Sequence, residues 1–169
     1  MGEGGAKVFI LMGSDSDLEV MKEARDTLSA LGISSKMTVA SAHRTPERTK
    51  RLIREAEEQG ASVIIAGAGM AAHLAGFVAA HTVLPVIGVP IDSGPLRGMD
   101  ALLSTVQMPP GVPVATVSIG KAGARNAAIL AAQILAVSDS QIRERLETMR
   151  EKASQQIEAK AKELEERER

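Results

Sequence analysis

The 169-residue sequence contains no cysteine, no tryptophan and no tyrosine, and it has two phenylalanines. Without cysteine there are no disulfides, thiolate zinc sites, iron–sulfur clusters or cysteine nucleophiles. With so few aromatic rings the chain offers no platform on which nucleic-acid bases could stack. Its 20 basic and 21 acidic side chains give a net charge of −1, so a basic field for a nucleic-acid backbone is missing as well. These absences favour a small-molecule partner over a nucleic acid.

Long hydrophobic runs are also missing. The first apolar run, Val8–Met12, is five residues long, whereas a signal-peptide core needs roughly 7–15. The apolar stretch 70–91 contains His73, His81, Pro85 and Pro90, which favours a helix followed by a strand over a membrane span. We therefore predict a cytoplasmic protein without a membrane partner.

Short β-branched runs alternate with longer helical patterns from residue 7 to residue 137. The predicted strands are 7–13, 37–40, 62–66, 83–90 and 114–117, and the predicted helices are 16–32, 45–60, 71–82, 99–107 and 122–137. Continuous apolar strands separated by helices indicate a parallel sheet covered on both faces. The pattern predicts one α/β domain, residues 1–137, folded as a doubly wound three-layer αβα sandwich.

The C-terminal segment 138–169 has a different composition, because 17 of its 32 residues are charged. It starts with a capping-box pattern, Ser138 to Gln141, and continues with one narrow apolar stripe at helical spacing. The stripe consists of Ile142, Leu146, Met149, Ala153, Ile157, Ala161 and Leu164. We predict an amphipathic helical extension that lies on its own sheet or packs on a neighbouring subunit. The second alternative is favoured because the five βα units already cover both faces of the sheet.

Ligands of open α/β sheets bind beyond the carboxyl ends of the strands, so the loops there are the first candidates for a site. The loop 13–17 reads GSDSD. Ser14 and Ser16 can donate to phosphate oxygens near a helix N-terminus, and Asp17 can accept from two sugar hydroxyls. Ser16 could also simply cap the helix, but capping explains one serine and one acid rather than two of each.

The second candidate loop, 41–46, reads SAHRTP. An imidazole such as that of His43 gives and takes protons near neutrality, and Arg44 beside it can hold a phosphate with two hydrogen bonds. A lone loop histidine is often only a surface residue. Its place at a strand end between Ser41 and Arg44 favours a functional role.

The third candidate segment, 67–73, reads GAGMAAH and formally matches the dinucleotide fingerprint G-x-G-x-x-A, with Asp92 twenty residues beyond Ala72. Because the match lies in the third βα unit rather than the first, we favour a tight pocket for a small ligand, with close helix–sheet packing as the alternative. His73 starts the next helix and faces the pocket, whereas His81 is predicted to be structural. The candidate pocket residues here are Ala68, Gly69, Ala71, Ala72 and His73.

Other segments give weaker signals. The loop 93–98 has one cation, Arg97, and is interpreted as a lid or a subunit contact. Three dispersed histidines and no clustered carboxylates give no metal-ligand pattern. No G-x-S-x-G elbow of a serine hydrolase occurs either.

Five segments in order along residues 7–137 resemble the PurE family of purine biosynthesis. They are GSDSD at 13–17, SAHRTP at 41–46, GAGMAAHLAG at 67–76, DALLSTVQMP at 100–109 and PVATVSIGKAGARNAA at 113–128. The third segment is similar to the class I form, an N5-carboxyaminoimidazole ribonucleotide mutase. The class II form, an aminoimidazole ribonucleotide carboxylase that uses free carbon dioxide, differs there. Met70 and Ala75 depart from this resemblance, since Gly and Pro are frequent at those positions.

The resemblance implies a flavodoxin-like subunit, a homo-octamer with active sites at subunit contacts, and no metal or organic cofactor. It places His43 at the family's acid–base position and Ser14, Asp17 and Arg44 at substrate-binding positions, with Ser16 and Ser41 close by. The segment 67–74 falls where the family surrounds the imidazole and the migrating carboxylate. The implied reaction is conversion of the N5-carboxy to the 4-carboxy ribonucleotide. A class II carboxylase, a non-catalytic sensor of phosphoribosyl ligands and a nicotinamide-dependent oxidoreductase are the alternatives.

Overall fold

The computed structural model describes residues 5–168 and contains a five-stranded parallel sheet. The strands are β1 (Val8–Met12), β2 (Ser35–Val39), β3 (Val63–Gly69), β4 (Val86–Ile91) and β5 (Ala115–Thr116). They lie in the order β2-β1-β3-β4-β5. This is the order of flavodoxin-like doubly wound sheets, in which the chain changes direction between β1 and β3 and leaves a ligand crevice there. The predicted fold class is confirmed.

The helices cover both faces of the sheet. They are α1 (Leu18–Ala30), α2 (Pro46–Glu58), α3 (Leu74–Ala79), α4 (Met99–Val106), α5 (Gly120–Leu135) and α6 (Ser140–Arg167). Alternate residues of β1 pack against the helices on opposite faces of the sheet, as expected for a strand buried on both sides. Ile10 packs with α1 and α5, whereas Phe9 and Leu11 pack with α2 and α3. The sheet therefore separates two hydrophobic cores and holds its carboxyl ends open between them.

Strand β3 is longer than the sequence pattern predicts, because it ends at Gly69 rather than Ala66. Pairing with β4 causes the extension, since Ala68 lies opposite Pro90 and Gly69 opposite Ile91. Helix α3 is correspondingly shorter than predicted and starts at Leu74. The first two glycines of the apparent dinucleotide fingerprint are thus strand residues and do not form the turn that such a fingerprint requires.

Two helix starts differ from the predicted capping boxes. The chain enters α1 through a short 3-10 turn, Asp15–Asp17, whose N-cap is Ser14 rather than Ser16. Helix α6 is capped by Asp139 rather than Ser138, and its carboxylate accepts from two backbone N–H groups. Both patterns contain several capping residue types in a row, so sequence spacing alone did not select the right one.

Helix α6 packs on its own domain only along its first turns. Ile142 and Leu146 are buried, and Arg145 Nη1 donates to the carbonyl of Leu31 at 2.9 Å, near the end of α1. Residues 151–168 are exposed, including Ile157 at 66% and Leu164 at 61%. The packed start agrees with a helix lying on its own domain, while the arm on a neighbouring subunit stays a prediction. No helix of the described chain is both long and apolar enough to cross a membrane.

Candidate active site

A cleft of about 490 Å³ opens at the carboxyl ends of β1, β2 and β3, where the sheet order reverses. All site residues predicted from the sequence line it: Ser14, Ser16, Asp17, Ser41, His43, Arg44, Ala68, Gly69, Ala71, Ala72 and His73. Gly13, Ala42, Met70, Leu74 and Ser93 complete the wall. Three loops that are distant in sequence therefore meet in one place, as the doubly wound topology requires.

The loop after β1 is fixed by hydrogen bonds among its own polar groups. The backbone N–H of Ser14 donates to Asp17 Oδ2 at 3.0 Å, and the Ser14 hydroxyl accepts from the Ser16 N–H at 3.4 Å. Asp17 is only 5% exposed, and this burial raises the pKa of its carboxyl group against the opposing effect of the Ser14 N–H bond. A carboxylate has about four acceptor sites, so Asp17 keeps capacity for ligand hydroxyls.

Asp15 in the same loop has the opposite electrostatics. It is exposed, and the Ser14 hydroxyl donates to its Oδ1 at 3.0 Å. This hydrogen bond is the largest cause that lowers the pKa of Asp15. One loop thus holds an exposed carboxylate that ionises readily and a buried one that does so at a cost.

The loop after β2 is organised around Ser41, a buried residue. Its hydroxyl accepts from the backbone N–H of Arg44 at 3.2 Å and from Arg44 Nε at 3.4 Å. Thr45 occupies the predicted N-cap of α2, but its hydroxyl donates to the Ser41 carbonyl instead of capping the helix. Within residues 5–168 the two terminal nitrogens of Arg44 make no hydrogen bond, so its planar fork can bind a phosphate.

His43 faces His73 across the cleft. His43 Nε2 lies 2.9 Å from His73 Nδ1, and the ring centroids are 4.9 Å apart. A hydrogen bond between two neutral imidazoles needs one nitrogen with a hydrogen and one with a lone pair. The contact therefore couples the tautomers of the two rings.

The segment after β3 makes a tight turn lined with small residues. The Ala72 N–H donates to the Gly69 carbonyl at 3.0 Å, and Met70 and Ala72 adopt left-handed backbone conformations, with φ of 53° and 42°. Such conformations cost non-glycine residues roughly 1–2 kcal/mol each and are concentrated at functional sites. A left-handed backbone also gives a physical reason why glycine is frequent at position 70 in the family that the sequence resembles.

Comparison with known proteins shows the family of this chain. Residues 7–156 match the AIR carboxylase family. This chain belongs to the AIR carboxylase family. The N5-carboxyaminoimidazole ribonucleotide mutase of Pyrococcus horikoshii is 55% identical over 159 residues, which cover 94% of this chain and 89% of that protein. The mutase of the same name from Bacillus subtilis is 56% identical over 150 residues, covering 89% and 93%.

A solved structure of this family has the same fold. The crystal structure of Treponema denticola PurE superimposes with a TM-score of 0.85 at 31% identity, covering 93% of this chain and 97% of that one. The Escherichia coli K12 mutase is 50% identical over 152 residues, which are 90% of each chain. The family resemblance read from the motifs is confirmed.

Ser93 also lines the cleft. Its loop, 93–98, was interpreted from the sequence as a lid or a subunit contact. It follows β4, the strand next to β3, and strand adjacency was the signal that could have found it. His81 lies outside the cleft, where its Nδ1 donates to the Phe77 carbonyl at 2.7 Å and its ring stacks on Phe77. Within residues 5–168 no group of three His, Asp or Glu side chains is placed to hold a metal ion.

Proposed function

We propose that this chain is an N5-carboxyaminoimidazole ribonucleotide mutase of purine biosynthesis. Its family membership and its similarity to three mutases of that name, which are 50–56% identical, support this activity. The observation that carries the proposal is the histidine pair, His43 and His73, in a cleft that also presents a phosphate-binding arginine and a turn of small residues.

The substrate is proposed to lie along the cleft with its phosphate at the first two loops. Arg44 and the hydroxyls of Ser14 and Ser16 surround the phosphate, because they are hydrogen-bond donors. On binding, the Ser14 hydroxyl turns from the Asp15 carboxylate to a phosphate oxygen. Asp17 accepts from the ribose hydroxyls. The aminoimidazole ring then extends toward His43 and His73 along the turn that follows β3. Ser41 acts indirectly, since its hydroxyl positions Arg44.

We propose that His43 acts first as the general acid and then as the general base, giving up one proton and taking up another. It first protonates the exocyclic nitrogen of the carbamate, so that the N–C bond breaks and carbon dioxide leaves. The enamine-like C4 of the imidazole then attacks carbon dioxide, and His43 removes the C4 hydrogen as the ring regains aromaticity. Protons balance over the cycle, and no external acid, base or oxidant is consumed. Proton transfer by a positioned side chain typically contributes about 10²–10⁴-fold.

His73 is proposed to orient His43 and to bind the substrate beside it. Because its Nδ1 faces His43 Nε2, it selects which nitrogen of His43 carries the hydrogen. The small residues Ala68, Gly69, Ala71 and Ala72 would confine carbon dioxide between the two chemical steps. Confinement matters because the freed molecule must meet C4 before it diffuses away.

The proposed assembly rests on the family resemblance, and the proposed location on the sequence pattern. We propose a cytoplasmic homo-octamer in which residues 138–169 extend the catalytic domain onto a neighbouring subunit. The exposed apolar side chains of α4 and α6 support association, since Met99, Leu103 and Ile157 are each at least half exposed. No metal or organic cofactor is part of the proposed mechanism, because the C4 proton of the substrate restores the protonation state of the histidine within one turnover.

The proposed function is tested by mixing the enzyme with the N5-carboxy ribonucleotide and following the 4-carboxy product by ultraviolet absorbance. The chain has no Trp or Tyr, so its own absorbance is low. A mutase converts this substrate without added bicarbonate. Turnover only from aminoimidazole ribonucleotide at high bicarbonate would instead identify a carboxylase, and binding of the ribonucleotide without turnover would identify a sensor.

A further inference from the structure

Ser93 occupies a special place in the cleft, because it comes from the far side of β3. It lies two residues beyond Ile91, which pairs with Gly69 at the end of β3. The other loops of the cleft follow β1, β2 and β3, and within residues 5–168 Ser93 is the only contribution from the loop after β4. It therefore stands beside the turn of small residues rather than beside the phosphate-binding loops.

The Ser93 side chain fills the space that a side chain at position 69 would need. A Cβ atom built on Gly69 would lie 1.8 Å from Ser93 Oγ and 2.9 Å from Ser93 Cβ. The backbone carbonyl of Ile91 would also be only 3.1 Å away. Glycine at position 69 thus allows the Ser93 hydroxyl to lie directly against the β3 backbone, at the wall proposed to enclose carbon dioxide.

The Ser93 hydroxyl has no hydrogen-bond partner among the residues that the structure describes. Each of the other polar side chains of the cleft makes a hydrogen bond within the chain: Ser14, Ser16, Asp17, Ser41, His43, Arg44 and His73. Ser93 is half-buried and makes no side-chain hydrogen bond to any of residues 5–168. A serine hydroxyl has one hydrogen to donate and two lone pairs, so this one is available to a ligand.

We infer that the Ser93 hydroxyl contacts the substrate and donates a hydrogen bond to the carboxyl group that the enzyme transfers. This inference rests on the mutase function proposed above and names a further contact in the same site. A neutral donor suits this position, because it binds the carboxylate of both substrate and product without exchanging a proton with His43. It also gives one oxygen of the freed carbon dioxide a partner while the molecule waits for C4.

Two ligands that differ only in the carboxyl group test the inference. Titration calorimetry measures the affinity of the wild type, Ser93→Ala, Ser93→Cys and the control Ser104→Ala for 4-carboxyaminoimidazole ribonucleotide and for aminoimidazole ribonucleotide. Ser104 is exposed on α4 and lies outside the cleft. Ser93→Ala should weaken the carboxylated ligand about tenfold or more, the usual loss for a hydrogen bond to a charged group. Its affinity for the uncarboxylated ligand should stay within about twofold.

Ser93→Cys retains the volume against Gly69 but is a weak donor, so it should weaken the carboxylated ligand in the same way. It carries the test if circular dichroism shows that Ser93→Ala does not fold. Suppose that both variants bind each ligand as tightly as the wild type does, and that the wild type shows mutase turnover. The proposed function would then stand, and the inference about Ser93 would be overturned. An equal loss for both ligands would also overturn it. A wild type that binds neither ribonucleotide would overturn the proposed function instead.

Discussion

The candidate active-site cleft and the start of helix α6 differ in how well their charged groups and backbone are stabilised by the surrounding protein. At the start of α6, Asp139 caps the helix and Arg145 binds the carbonyl of Leu31. At the cleft, Asp17 is a carboxylate buried at a cost, and Met70 and Ala72 have left-handed backbones. The start of α6 thus follows the local rules for stability, whereas the cleft departs from them where a ligand is expected to bind.

The distal part of α6, unlike its start, is not stabilised by contacts with the rest of residues 5–168. Beyond residue 150 the helix is exposed along its length, and its apolar stripe has no partner within the described chain. The left-handed turn and the buried carboxylate of the cleft agree with the proposed ligand site. The exposed apolar side chains of distal α6 agree with the proposed arm on a neighbouring subunit. We expect substitutions in the cleft and truncation of α6 to have separate effects.

The largest effect is expected at His43. His43→Asn should lower kcat by about 10³-fold, because asparagine cannot transfer the proton, while nucleotide binding stays largely intact. The matched control is His81→Asn, which removes a histidine outside the cleft and should retain turnover. Product formation is measured by ultraviolet absorbance and binding by calorimetry. Normal turnover by His43→Asn would refute the assigned role.

Removing the distal part of α6 should change assembly and leave the domain folded. A chain ending at Arg150 retains the buried Ile142 and Leu146, whereas a chain ending at Val137 loses both. Each buried Ile or Leu contributes roughly 1.5–3 kcal/mol, so only the shorter chain should lose much of its stability. Light scattering should find fewer subunits for the chain ending at Arg150. If it has the full-length subunit number, the distal helix is not an assembly arm.

Arg44→Ala should act mainly on substrate binding. Loss of charge-assisted hydrogen bonds to a phosphate typically weakens binding about tenfold to a hundredfold, so KM should rise by that order while kcat changes less. Arg44→Lys should fall between, since lysine keeps the charge and loses the fork. Arg51→Ala, on the exposed side of α2, serves as the control. An unchanged KM for Arg44→Ala would rule out a phosphate contact.

The fold was predictable because its signals are local and repeated. Apolar runs such as Val8–Met12 and the helical patterns between them determine a doubly wound sheet whatever the details of each cap. The ends of elements were not predictable to the residue, because they depend on pairing between distant segments. Strand β3 extends to Gly69 only because β4 supplies Ile91 as its partner.

The candidate site was predictable as a set of residues but not as a set of contacts. Topology brings every loop after a strand to one edge of the sheet, so its polar residues could be grouped in advance. The pairing of His43 with His73 and the packing of Ser93 on Gly69 depend on side-chain directions that spacing does not encode. The burial of Asp17 was not predicted either, because residue spacing does not give the exposure of a side chain.

The smallest predicted effect tests whether the cleft sacrifices stability for binding. Asp17→Asn should raise Tm at neutral pH by about 1–4 °C, because the amide oxygen still accepts from the Ser14 N–H and no charge is buried. Burial raises the pKa of Asp17, so the native state binds the proton more tightly than the unfolded state does. Wild-type stability therefore falls as pH rises from about 4 through the native pKa. The advantage of the variant should be present above that range and vanish below it.

An aspartate at the start of α6 has the opposite effect on stability. Asp139 caps α6 with two hydrogen bonds from Gln141 and Ile142, so Asp139→Ala should destabilise the chain by about 0.5–2 kcal/mol. Thermal unfolding from pH 4 to pH 8 measures both variants, and KM should rise for Asp17→Asn alone. If Asp17→Asn is less stable than the wild type at pH 7, the idea that burial of the ionised Asp17 carboxylate lowers folding stability is contradicted. A gain that does not change with pH would show that the stabilisation does not come from its ionisation.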